Sequence, residues 1–159
     1  MEIERKFLVN ANKLDLTNCK NSKLEQYYLS YSPEIRVRKK TYDNDVKCFF
    51  TYKSDGDMVR KEIEIEVSND FYNKFKDCAK GRVISKVRYE FYLFKGLVAE
   101  VDIYEGDLNG LMVVEVEFAS EIDSQDFTNN IPSWFGKEIT CDRKFKNKNL
   151  SSINIDELF

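Results

Sequence analysis

Histidine is absent from the 159 residues. That excludes a Ser-His-Asp triad, a histidine-bound zinc and imidazole as a general base. Any metal must then be a hard cation held by oxygen, which means Mg²⁺, Mn²⁺ or Ca²⁺. The four cysteines, Cys19, Cys48, Cys78 and Cys141, are scattered without a C-x-x-C pair, so neither zinc-site spacing nor a disulfide framework is present. Only two prolines and six glycines occur, and no low-complexity linker divides the chain. One domain spanning residues 1–159 is expected. No apolar run reaches bilayer length, and the N-terminus is acidic where a signal peptide would be basic. The expected location is the cytoplasm, with no membrane partner. There is no basic excess either: the net charge is −3, which argues against nucleic acid as a partner.

What the chain does have is charge of both signs, 33% of its residues, sorted into short stretches. Glu2-Ile3-Glu4-Arg5-Lys6, Arg36-Val37-Arg38, Glu62-Ile63-Glu64-Ile65-Glu66, Lys86-Val87-Arg88, Glu100-Val101-Asp102 and Glu115-Val116-Glu117 all place like charges two residues apart. Residues i and i+2 of a strand share a face, so each stretch pairs an apolar face with a charged one. Strands are expected over 1–9, 25–30, 34–41, 46–54, 58–67, 82–94, 97–105 and 111–119, with turns at Asp43-Asn44, Lys95-Gly96 and Asn109-Gly110. Hairpin order favours a mainly β (α+β) fold, an antiparallel sheet or closed barrel. A helix is expected over 69–80, capped by Ser68 or Asn69 and ended by Gly81, with short helices over 120–127 and 143–149. Asp142 reads as the cap of the last helix, and the loop 131–139 carries Trp134 as a packing anchor.

A solvated sheet face usually mixes signs, because opposite charges attract across strands and like charges repel. Whole faces of one sign call for a counter-charge: a divalent cation for the carboxylates, a polyanion for the cations. A metal–polyphosphate complex answers both. Arg36 and Arg38 can each grip phosphate with two prongs, and Lys6, Lys53, Lys86 and Arg88 add positive charge.

These stretches, taken in order with Gln26-Tyr27-Tyr28-Leu29, Thr51-Tyr52-Lys53, Arg60-Lys61-Glu62 and Asp142-Arg143-Lys144-Phe145-Lys146-Asn147, resemble the CYTH superfamily of triphosphate tunnel metalloenzymes over nearly the whole chain. The loop Pro132-Ser133-Trp134-Phe135-Gly136 is most similar to small bacterial inorganic tripolyphosphatases. The resemblance implies an eight-stranded antiparallel closed β-barrel, a tunnel with a few flanking helices, hydrolysing a triphosphate with Mg²⁺ or Mn²⁺. It implies metal binding by Glu2 and Glu4, joined by residues among Glu62, Glu64, Asp102, Glu115 and Glu117. Phosphate would be held by Lys6, Arg36, Arg38, Lys53, Arg60, Lys86 and Arg88, with Lys146 reaching the tunnel mouth. Glu4 would help orient a water, Lys86 would serve as acid or base, and Tyr28 would hydrogen-bond the water or leaving group. The Glu62/Glu64 and Glu115/Glu117 pairs are equal candidates for taking the proton. Rival readings on the same fold are thiamine- or nucleoside-triphosphate hydrolysis, class IV adenylyl cyclisation and a non-catalytic polyphosphate or nucleotide sensor. Apolar outward faces would allow a homodimer.

Overall fold

The computed structural model describes residues 2–55 and 61–159. The charged stretches do form strands: β1 (Ile3–Val9), β2 (Lys20–Tyr31), β3 (Glu34–Tyr42), β4 (Asp45–Lys53), β5 (Glu62–Val67), β6 (Lys80–Tyr92), β7 (Val98–Tyr104), β8 (Met112–Phe118) and β9 (Phe135–Glu138). They make one antiparallel sheet in the order β5-β4-β3-β2-β6-β7-β8-β1-β9. Side chains from β1 through β8 all line a single cavity, so the sheet is curled with its charged face inward.

The expected architecture holds, with two differences. A ninth strand, β9, lies in the segment expected to be a loop; it pairs with the second half of β1, where Gly136 lets the two backbones approach. A four-residue strand holding a glycine and following a proline has no alternating pattern to announce it. The ladder also does not close, since β5 and β9 are its edges. The gap is spanned by side chains instead: Lys53 Nζ, at the end of β4, lies 3.8 Å from Glu2 Oε2.

The outward faces bury two apolar clusters. Phe7, Val114, Val116 and Phe118 pack with Phe127, Trp134 and Phe135 under α2 (Glu121–Asp126) and β9, which makes Trp134 a packing anchor. Tyr27, Val37 and Cys48 pack beneath Tyr72 of α1 (Asn69–Phe75). The helix α1 is capped by the Ser68 side chain, which accepts from Phe71 N, but ends five residues earlier than expected. Lys80 and Gly81 instead begin β6, where Gly81 takes φ +70° and passes against the Ser151 carbonyl. Tertiary contact with the C-terminal segment thus claims residues whose spacing also suits a helix.

That segment folds back as a 3-10 turn over Arg143–Phe145, capped by Asp142, followed by α3 (Asn147–Leu150). Phe145, Leu150 and Leu158 join Tyr28, Ile84, Tyr104 and Leu111 in a third cluster on the inner side of the sheet. Tyr28, Ile139 and Phe145 of this cluster also line the cavity, so the C-terminal segment packs against it as a plug. No helix among the described residues is long and apolar enough to cross a membrane.

Candidate active site

The cavity inside the curled sheet measures about 660 Å³. Strand register sets which lining charges face one another. On β1 and β8, Glu4 faces Glu117 and Lys6 faces Glu115; on β7, Glu100 faces that same Glu115. Glu2, Glu62 and Glu64 complete an acidic wall. The opposite wall carries Arg36, Arg38 and Arg88, with Lys6, Lys53 and Lys146 lining the same space.

Like carboxylates placed opposite one another hold on to protons. Burial, then Glu115 and Glu2, raise Glu4 from 4.5 to about 7, against the pull of Lys6 and Lys53. Burial and the carboxylates of Glu2, Glu100, Glu62 and Glu115 also raise Glu117. Glu115 goes the other way: burial works to raise it, but Lys6 Nζ at 3.2 Å, with Lys86 and Arg88, brings it below the usual range. The unrelieved negative charge therefore sits at Glu4 and Glu117. Oxygen is the only ligand atom these side chains offer, which suits a hard divalent cation. Among the described residues no three acidic or cysteine side chains are already drawn together as a metal site.

On the basic wall, Arg36 Nη2 lies 3.9 Å from Glu64 Oε2, whose carboxylate also accepts from Thr51 Oγ1 at 2.9 Å. Lys6 Nζ donates to the Phe145 carbonyl at 2.7 Å, tying β1 to the plug. Tyr28 stands opposite Arg36 at the base of the cavity, and burial pushes its phenol up to about 12. It remains a hydrogen-bond donor throughout the neutral range.

Two expected site residues are placed differently. Lys86 is 0% exposed and its Nζ donates to Asp102 Oδ2 at 2.7 Å, so it stands behind the cavity wall and is not among the residues lining it. Burial pulls its pKa down to about 7, and the neighbouring carboxylate is what keeps it charged near neutrality. Asp102 does not line the cavity: burial opposes its ionisation, but Lys86 and Arg88 outweigh that and hold it well below the usual carboxylate range. Both its oxygens are taken, Oδ1 by Arg88 Nε at 2.7 Å and Oδ2 by Arg88 Nη2 at 2.9 Å as well as by Lys86. Lys86, Asp102 and Arg88 thus form a buried ion triad, of which only Arg88 lines the cavity. Sequence spacing cannot separate Glu100, which lines the cavity, from Asp102, because both lie on the same strand face. Arg60 lies outside the described residues.

The cavity also takes in Glu34, Thr140, Asp142 and Asn147. The last three come from the returning C-terminal segment, where no strand period marks them. Asp142 is both a cap, accepting from Lys144 N at 3.1 Å, and a lining residue.

An antiparallel sheet curled round one cavity, acidic on one wall and basic on the other, defines the triphosphate tunnel class. No family model matches the chain. An inorganic triphosphatase of Nitrosomonas europaea is 38% identical over 153 residues, covering 94% of this chain and 96% of that one. An inorganic triphosphatase of Acetivibrio thermocellus is 31% identical over 152 residues, covering 94% and 92%. A crystal structure of an inorganic triphosphatase superposes with a TM-score of 0.73 at 36% identity over 97% of each chain. A putative adenylyl cyclase from Hippeastrum shares the fold at 16% identity, with a TM-score of 0.67 over 96% of this chain and 97% of its own. The chain belongs to the inorganic triphosphatase family of the triphosphate tunnel (CYTH) proteins.

Proposed function

We propose that this chain hydrolyses inorganic tripolyphosphate to diphosphate and phosphate inside the tunnel, in the cytoplasm, with Mg²⁺ or Mn²⁺ on the acidic wall. The observation that carries the reading is that many carboxylates and many arginine and lysine side chains line one cavity. Arg36, Arg38, Lys53, Lys6 and Lys146 hold the triphosphate, and Glu2 and Glu4 hold the metal with help from Glu62 and Glu64. The metal, when bound, offsets charge on the transferring phosphoryl group and makes a water more acidic.

Most of the remaining work is positioning, since phosphoryl transfer asks little covalent chemistry of the protein. Tyr28 stays protonated and donates to a phosphate oxygen at the base of the cavity. Glu117, its proton affinity raised by four neighbouring carboxylates, accepts the proton of the attacking water. Water adds to phosphorus, the P–O bond to the departing diphosphate breaks, and the proton passes from Glu117 to bulk water.

The lining favours an inorganic substrate. Among the described residues its larger apolar side chains are Ile139, Phe145 and Tyr28, all three of which also belong to the packed third cluster, while most of the lining is charged. The test is phosphate release from tripolyphosphate, ATP and thiamine triphosphate with Mg²⁺, with Mn²⁺ and with chelator. Metal-dependent turnover with the highest kcat/KM for tripolyphosphate is expected. Cyclic AMP as a product, or a higher kcat/KM for an organic triphosphate, would refute the substrate; tight binding without turnover would make the protein a sensor.

A further inference from the structure

The three guanidinium groups on the basic wall are not equally available. Each nitrogen of Arg88 has an acidic partner: Nε and Nη2 donate to Asp102, and Nη1 donates to Glu100 Oε2 at 3.1 Å. Arg36 has its 3.9 Å contact with Glu64, and its Nε finds no hydrogen-bond partner. Arg38 donates Nε to Gln26 Oε1 at 2.8 Å, and its terminal nitrogens make no other hydrogen bond or ion pair among the described residues.

Gln26 is 0% exposed and sits on β2 directly opposite Arg38, on the strand face shared with Tyr28. Arginine can only donate, so the contact fixes which end of the amide is oxygen and leaves Nε2 on the far side. That Nε2 finds no partner among the described residues. A buried donor without a partner is destabilising, so stability does not explain a glutamine here.

We infer that Gln26 is a positioning residue for the substrate, holding Arg38 by Nε so that its two terminal nitrogens are presented as a fork to oxygens of the triphosphate. The inference rests on reading the tunnel as a triphosphate site. The charge state of the holder matters. Asp102 orients Arg88 but also neutralises it, and the Arg88 fork is consumed in the process. Neutral Gln26 orients Arg38 and leaves its charge uncompensated. Burial, with Arg36 and Arg88 nearby, already disfavours that charge, so an arriving anion relieves it.

Gln26→Met and Gln26→Glu test the assignment through three readings. These are the Kd for tripolyphosphate by calorimetry in chelator, kcat and KM with Mg²⁺, and the thermal midpoint. Gln26→Met should raise Kd and KM about tenfold, the size of one contact to a charged group, while kcat changes less than about threefold. Its thermal midpoint should change little, since the unpartnered amide donor is gone while the Arg38 Nε loses its acceptor. Gln26→Glu should weaken binding further, because its carboxylate takes the Arg38 fork as Asp102 takes that of Arg88. Kd and KM within about twofold of wild type in both variants would overturn the inference. So would binding lost only in proportion to unfolded protein. Wild type that binds tripolyphosphate without hydrolysing it refutes the reaction and leaves this inference to be decided by Kd. Wild type that does not bind it at all overturns both.

Discussion

Glu4 faces Glu117 across the β1–β8 pair, and burial, then Glu115 and Glu2, hold its carboxyl up to about 7. A carboxyl whose folded pKa lies above its unfolded one binds more protons folded than unfolded between the two values, so stability falls as pH rises from about 4.5 to 7. Above that window the full repulsion is present. Taken whole, a shift of that size would be about 3 kcal/mol at roughly 1.4 kcal/mol per unit. Glu4 keeps an exposed surface in the tunnel, and water screens it, so about 1 kcal/mol is the better figure. Glu4→Gln removes the charge and keeps the shape. In chelator at pH 8 the variant should therefore melt roughly 2–4 °C above wild type, the shift that 1 kcal/mol gives a chain of this size. At pH 4.5 the difference should vanish. With Mg²⁺ and tripolyphosphate the same variant should lose turnover, because the side chain that repels its neighbours is one the cation needs. Calorimetric scans at the two pH values and a phosphate-release assay decide it. A variant that melts below wild type at pH 8, or one that keeps full metal-dependent turnover, would refute the reasoning.

Asp102→Asn leaves Lys86 and Arg88 buried without their shared carboxylate and should cost about 3–5 kcal/mol in a urea titration at pH 7. Because the folded pKa of Asp102 is depressed, its stabilisation is present above the unfolded value near 4 and lost as pH falls through the folded one; the gap between variant and wild type should narrow in acid. Gly81→Ala would set a Cβ 2.4 Å from the Ser151 carbonyl oxygen at a φ of +70°, and a loss of about 2–4 kcal/mol is expected on the same titration.

The strand period made the charged faces legible residue by residue, because i and i+2 must share a face wherever a strand forms. Glu2, Glu4, Lys6, Arg36, Arg38, Lys53, Glu62, Glu64, Arg88, Glu115 and Glu117 all line the cavity, each from a position that alternation alone marks. The Ser68 cap was legible for a similarly local reason, a side-chain oxygen bonded to the third following amide. Alternation says which face a residue occupies but not how deep it lies. Lys86 and Arg88 read alike in the chain, yet one is sealed behind the wall and the other lines it.

The sequence by itself determined an antiparallel sheet with one apolar and one charged face, and charge clusters that ask for a metal and a polyanion. Both follow from backbone geometry and Coulomb's law acting over a few residues. Only the tertiary structure decided that the sheet curls without closing its ladder, that the C-terminal segment packs against the cavity as a plug, and that Asp102 is spent on Lys86 and Arg88 while Gln26 leaves Arg38 open. Those outcomes depend on which strands become neighbours and on which charges burial brings within about 3 Å of a partner, where local pattern carries no information.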